Sequence, residues 1–153
     1  NARADIAVIN GVLKGYEIKS DADSLNRLNS QISYYEKTFE KCTIVVGKKF
    51  EKRIVDEVPE SWGIICAYEN RFGNVSLKNI RPAKFNKNVT YKALTDVLWN
   101  DEIKKLLREN NIKGYSSKNK FQLLEMVEQN FSLTTLKNYT REILKSREGW
   151  RVV

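Results

Sequence analysis

Asp5, Glu17 and Lys19 are the residues of this chain whose types and spacing best suit chemistry. In the stretch "GYEIKSD", Glu17 and Lys19 flank Ile18. Residues i and i+2 of a strand share a face, so this carboxylate and this ammonium would leave a sheet together. Asp5 stands in the preceding apolar alternation, "RADIAVI". If Asp5 pairs opposite Glu17, two carboxylates meet, and the Ile18 carbonyl can add a third oxygen. That donor set suits a hard cation, Mg²⁺ or Mn²⁺. Such ions keep several waters, one of which can attack a phosphodiester. Lys19 would hold or help deprotonate that water and offset phosphate charge. The alternative is three solvated charges on an open sheet face.

The same letters recur at Glu102-Ile103-Lys104. There the surrounding pattern is helical, and positions two apart diverge by roughly 200°. No chemistry is expected of the second copy. The chain has no histidine. This excludes His-based triads, most zinc sites and the usual neutral-pH acid–base residue.

The elements that must position the three residues follow from periodicity. Residues 3–9 alternate and run into Asn10-Gly11, and residues 12–20 follow, a hairpin signal. Asp5 faces Glu17 only if paired positions sum to 22, which demands an odd loop or a bulge near Gly11 or Gly15. A two-residue Asn10-Gly11 turn would place them on opposite faces. Leu25, Leu28, Ile32, Tyr35 and Phe39 then fall at helical spacing, with Asp23 or Ser24 as the cap. "CTIVV" and "WGIICAYE" read as buried strands. Between them "KKFEKRIVDEVPE" reads as a short amphipathic helix carrying Phe50, Ile54 and Val58. "NVSLKNI" reads as an edge strand. The order ββαβαβ gives an antiparallel hairpin leading into parallel βαβ units, an α/β fold with a mixed sheet flanked by helices.

The pattern changes near "RPAKFNKNVT". Residues 1–82 are expected to form the α/β core, 83–91 a linker and 92–153 a helical region. One helical run holds Leu94, Val97, Leu98 and Trp99. A second, capped by Asn100, holds Ile103, Leu106 and Leu107. A third, after Ser116-Ser117, holds Phe121, Leu124 and Val127. A fourth, from Ser132, holds Leu136, Tyr139 and Ile143. Trp99, Trp150, Leu136 and Ile143 are expected in the core.

The 153 residues suffice for one sizeable core with an appendage. The net charge is +8, and both parts are basic: residues 1–85 carry 14 basic and 11 acidic groups, residues 86–153 carry 13 and 8. This balance favours a polyanionic partner. No run of about 18 apolar residues occurs, so no membrane partner is expected. The start, "NARADIAVIN", has no signal-peptide pattern. Cys42 and Cys66 sit in apolar runs and read as buried free thiols of a reducing, cytoplasmic protein, with a disulfide between adjacent strands as the alternative.

"RADIAVINGVLKGYEIKS", followed by "QISYY", resembles the PD-(D/E)XK nuclease superfamily. An Asp in one strand precedes Glu-x-Lys in the next, and Gln31 and Tyr35 match the Gln-x-x-x-Tyr motif of its RecB-type branch. Residues 3–70 are also similar to small bacterial proteins assigned to that superfamily, through "ADIAVING", "GYEIKSD", "DSLNRLNSQ" and "PESWGI". Ala4 replaces the motif's Pro, which supplies no ligand. The resemblance implies a restriction-endonuclease-like fold and a Mg²⁺-dependent DNA nuclease. Asp5, Glu17, Lys19, Gln31 and Tyr35 would be its site, with Gln31 orienting it and Tyr35 bracing it or touching DNA. The family fold places a helix and a strand before this point. The usual N-terminal helix is expected to be lacking, and a partner segment or a second copy would complete the sheet. A nuclease-fold module that binds DNA or adapts other proteins without chemistry is the rival expectation.

"DEIKKLLRENNIKGYSSKNKFQLLEMVEQ", about residues 101–129, resembles a SAP-like helix–loop–helix. Lys113, Tyr115, Lys118 and Lys120 would contact phosphates, with backbone donors from a helix N-terminus at Ser116-Ser117. The alternative is a small helical bundle packing on the core.

Overall fold

The computed structural model describes residues 3–148. The chain divides into two compact units, Asn1–Asn88 and Val89–Val153.

The first unit is built on a five-stranded sheet of order β1-β2-β3-β4-β5. Its strands are β1 (Ile6–Ile9), β2 (Leu13–Lys19), β3 (Lys41–Val46), β4 (Gly63–Glu69) and β5 (Val75–Arg81). β1 and β2 are antiparallel, β2–β3 and β3–β4 are parallel, and β4–β5 are antiparallel. This is the expected mixed α/β sheet, with the expected edge strand at β5.

The hairpin takes the odd-loop branch. Ile9 pairs Leu13 and Ile6 pairs Tyr16 across a three-residue Asn10-Gly11-Val12 loop. Gly11 has φ +68° and so supplies the left-handed residue the loop needs. Continued one step, this register sets Asp5 against Glu17.

Helix α1 (Leu28–Thr38) lies on one face of the sheet. Its Tyr35 ring packs 5.2 Å from Phe39 and 5.4 Å from Trp62. Gly15 makes room for this, since a Cβ there would lie 2.5 Å from the Phe39 ring. α1 starts later than expected. Asp23 spends its carboxylate on the Ser20 amide and hydroxyl, both at 2.8 Å, and Arg27 takes the cap position without a side-chain bond. The helix expected between β3 and β4 is a 3₁₀ turn (Lys48–Phe50) and then a single turn, α2 (Ile54–Glu57). Phe50, Ile54 and Val58 are nonetheless buried as expected.

The opposite face carries Ile6, Val8, Ile18, Val75 and Leu77, all exposed. Residues 83–88, expected in a linker, are bonded to the first unit. Lys84 donates to Ser61 and the Asn86 amide nitrogen to Glu40. The Asn86 side chain closes on the Glu36 and Phe39 carbonyls.

The second unit holds α3 (Tyr91–Val97), α4 (Asn100–Glu109), α5 (Lys120–Asn130) and α6 (Leu133–Ser146) around Leu107, Leu123, Val127 and Leu136. Ser132 caps α6 as expected, accepting from Thr135. Asn100 is the first residue of α4, not its cap. Glu102 instead accepts the Trp99 amide at 2.7 Å. α5 starts at Lys120 under an Asn119 cap, so Leu123 replaces Leu124 in the core and Phe121 is exposed. Trp99 is 53% exposed, with the Arg147 guanidinium 4.3 Å above its ring, and Ile143 is half-buried, so neither is the expected core residue. Trp150 lies outside the described residues.

Candidate active site

β2 sorts its side chains by parity. Leu13, Gly15, Glu17 and Lys19 are buried on the face that α1 covers, while Lys14, Tyr16 and Ile18 face the open side. Glu17 is 1% exposed and Lys19 6%. Their Oε1 and Nζ atoms are 3.0 Å apart. Solvated surface charge is therefore not their state. Burying such a pair costs desolvation that well-packed apolar residues would not incur, so fold stability is a weak reason to keep it.

α1 brings Gln31 and Tyr35 onto the same site, one turn apart. The Gln31 amide donates to Glu17 Oε1. The Tyr35 hydroxyl donates to the Tyr16 carbonyl at 2.9 Å and accepts from the Asp5 amide at 3.1 Å. Burial holds the Tyr35 phenol well above its ordinary pKa, so it stays a neutral donor.

Asp5 enters from the position just before β1. Its Oδ2 accepts the Ile18 amide at 2.8 Å. The Lys19 carbonyl bonds Gly47 on the β3 side, so the neighbouring Ile18 turns both N–H and C=O toward β1. β1 has ended by that point. The Asp5 carboxylate takes the place of a strand acceptor there, and the Ile18 carbonyl projects toward the same edge.

At this site two buried oxygens have no hydrogen-bond partner among the described residues, Glu17 Oε2 and Gln31 Oε1. A buried carboxylate oxygen without a donor is costly unless something else satisfies it. Among the described residues no cluster of three or more His, Cys, Asp or Glu could hold a metal. A cation here would take its protein ligands from Asp5, Glu17 and the Ile18 carbonyl and fill the rest with water. This donor set fits Mg²⁺.

Cys42 and Cys66 are free and buried. The ladder sets Cys66 beside Val46, four residues along β3 from Cys42. That is roughly 13 Å, beyond the ~7 Å that a disulfide spans between Cα atoms.

In the second unit, the loop between α4 and α5 turns at Asn111 (φ 59°) and Gly114 (φ 86°). Lys113 is exposed, and Tyr115 and Lys118 are half-buried. Lys120 is committed elsewhere. Its ammonium donates to the Leu98 carbonyl, and burial pulls its pKa below the ordinary lysine value. Ser116-Ser117 lies ahead of the helix and contributes no helix N-terminus. The second Glu-x-Lys copy diverges as expected: Glu102 pairs Arg147 at 2.6 Å, and Lys104 donates to the Ser116 carbonyl at 2.9 Å. Lys104 thus braces the basic loop, a role that no local pattern announced.

Fold and site together define a mixed α/β protein with a buried, polar-braced Glu–Lys pair beside an acidic strand end. The family model described as bacteriophage P4 protein cII matches residues 1–150, and the chain belongs to that family. Protein cII of Enterobacteria phage P4 is 30% identical over 145 residues, which is 95% of this chain and 54% of that protein. The chain thus spans about half the length of this relative. No solved structure matches it. Among the described residues no helix is long and apolar enough to cross a membrane.

Proposed function

We propose that the protein is a metal-dependent nuclease that hydrolyses DNA phosphodiester bonds, with a PD-(D/E)XK-type site on a restriction-endonuclease-like sheet. The observation that carries this reading is the convergence of Asp5, Glu17 and Lys19 around Ile18, with Glu17 Oε2 left without a partner. Asp5, Glu17 and the Ile18 carbonyl would hold Mg²⁺ or Mn²⁺, which supplies charge neutralisation and an acidified water. Lys19, whose Nζ lies 3.0 Å from Glu17 Oε1, would offset charge on the phosphate. Gln31 engages Glu17 Oε1 and leaves Oε2 free to bind. Tyr35 fixes the Asp5 backbone against β2. The formal charge of +8 supports a DNA partner, with the exposed Lys113 and the half-buried Lys118 on the SAP-like loop of the second unit.

A DNA-binding module without chemistry is the second reading. It is favoured by one feature, the capture of Glu17 Oε1 by both Lys19 and Gln31. The two separate in a cleavage assay on linear, single-stranded and branched DNA with Mg²⁺. Asp5→Ala, at an exposed position, is expected to abolish cutting without unfolding the chain. Equal cutting by variant and parent, or full cutting in EDTA, defeats the nuclease reading.

A further inference from the structure

The carboxyl ends of parallel strands are where α/β sheets present ligand sites. Here the ends of β2, β3 and β4 enclose a cleft of about 550 Å³, within the size range of small-ligand sites. Ile18, Val45, Ala67 and Val75 line it with apolar surface, and Tyr68 and Lys48 line it as well. Ile18 pairs Val45, and Val75 pairs Glu69 at the end of β4, so the apolar lining comes from four adjacent strands. Ile18 is 43% exposed and Val75 77%. Leaving such side chains in water forfeits burial that a flat apolar ligand would provide.

Ile18 joins this cleft to the candidate site. Its amide is held by Asp5, it separates Glu17 from Lys19, and its side chain lines the cleft. A phosphate at the site and a group in the cleft would be neighbours along one strand. Lys19 of the buried pair also lines the cleft, with Lys48, Asp21 and Glu69, so the cleft reaches the candidate site and its charged lining is balanced.

We propose that this cleft receives an unstacked nucleobase next to the scissile phosphate, so that the substrate class is unpaired DNA. This rests on the nuclease reading of the adjoining site. A duplex keeps its base faces inside the stack and offers proteins edges and phosphates. An apolar cleft gains nothing from those. An unpaired base offers a π-face that any sequence provides, and aromatic and apolar surfaces bind it.

The test is fluorescence anisotropy with a labelled oligothymidylate and a labelled hairpin duplex, both with Ca²⁺ in place of Mg²⁺. Ala67→Phe fills the cleft, and Val75→Asp removes apolar surface at a position exposed enough to spare the fold. The parent should bind the single strand more tightly than the duplex. Each variant should weaken single-strand binding about tenfold, the scale of one lost base stack, with duplex affinity unmoved and unfolding midpoints unchanged for Val75→Asp. Unchanged single-strand affinity in both variants overturns the proposal, as does an equal loss on duplex or a parent that binds neither probe. A parent that binds the strand through the cleft but never cuts in Mg²⁺ sinks the nuclease reading and leaves the cleft's occupant standing. A parent that cuts both substrates alike, with both variants unimpaired, does the reverse.

Discussion

The Asp5 carboxylate accepts the Ile18 amide at 2.8 Å, on the residue that separates Glu17 from Lys19. Asp5 lies just before β1 and Ile18 lies in β2, and the bond forms only because the hairpin loop has three residues. A two-residue turn would have moved every β1 side chain to the other face. The register of one small loop therefore decides whether the acidic strand end and the buried pair belong to one site.

That dependence makes Gly11 a test. At φ +68° an L side chain costs about 1–2 kcal/mol, and a Cβ there would touch nothing within 4 Å. Gly11→Val should lower stability by that backbone cost alone, read as a shift in the urea midpoint at unchanged m-value. Gly11→Asn should cost less, because Asn tolerates the left-handed region. A loss well above 2 kcal/mol for Gly11→Val would mean that the loop is held by contacts as well.

Tyr35→Phe removes one hydroxyl that serves both strands. The Asp5 amide loses its acceptor and the Tyr16 carbonyl loses its donor. The expected stability loss is about 1–3 kcal/mol. If Tyr35 positions Asp5 for a cation, the Mg²⁺ concentration needed for half-maximal cutting should rise several-fold. A purely structural hydroxyl would lower stability and leave that metal midpoint where it was.

The sheet was legible in the sequence because its signals are local. Alternation in residues 3–9 and 12–20 and the apolar runs at 42–46 and 62–69 each named a strand. The candidate site was legible for the same reason, since strand parity alone sets Glu17 and Lys19 on one face. What failed was set by partners distant in sequence or by competition between local bonds. Asp23 looked like a helix cap but closes a turn onto Ser20. Moving the start of α5 to Lys120 rotated its buried stripe, so Phe121 faces water. Trp99 looked like core, but Arg147, 48 positions later, occupies its ring face. Nothing near residue 99 encodes that contact.

Cys42 offers a cheap check on the core. Burial, with Glu36 adding to it, pushes its thiol up to about 12. Burial also raises Cys66. Thiolate is the reactive form, so neither cysteine should react with a thiol reagent at neutral pH until the protein unfolds. Two equivalents should then react in denaturant, without reductant. Fast reaction of either thiol in the native protein would mean that β3 or β4 opens locally.

Acid should act through Glu51 outside the site. Lys48 at 2.6 Å and Lys78 at 2.8 Å hold its carboxyl down at about 2, against an ordinary value of 4.5. A depressed carboxylate adds stability above its unfolded pKa and loses it as pH falls through the folded one. Glu51→Gln should therefore flatten the acid limb of the stability profile between about pH 4.5 and about pH 2. High salt should shrink the difference, because the group is on the surface. An identical acid limb in variant and parent would mean that the two lysines do not hold this carboxylate in solution.

The buried pair itself separates fold from function. Removing one partner of a buried ion pair strands the other charge and costs about 3–5 kcal/mol, whereas replacing both by apolar residues of similar volume is often neutral or stabilising by about 1–4 kcal/mol. Lys19→Met should therefore destabilise strongly, because Glu17 is 1% exposed and has one oxygen unsatisfied already. Glu17→Met with Lys19→Met should recover parental stability or exceed it in urea unfolding. Neither variant should cut DNA. A double variant as unstable as the single one would mean that Glu17 and Lys19 are kept for the sheet. A double variant that is stable and inert would mean that the chain retains two charges its fold does not need, which is the pattern expected of a site selected for chemistry.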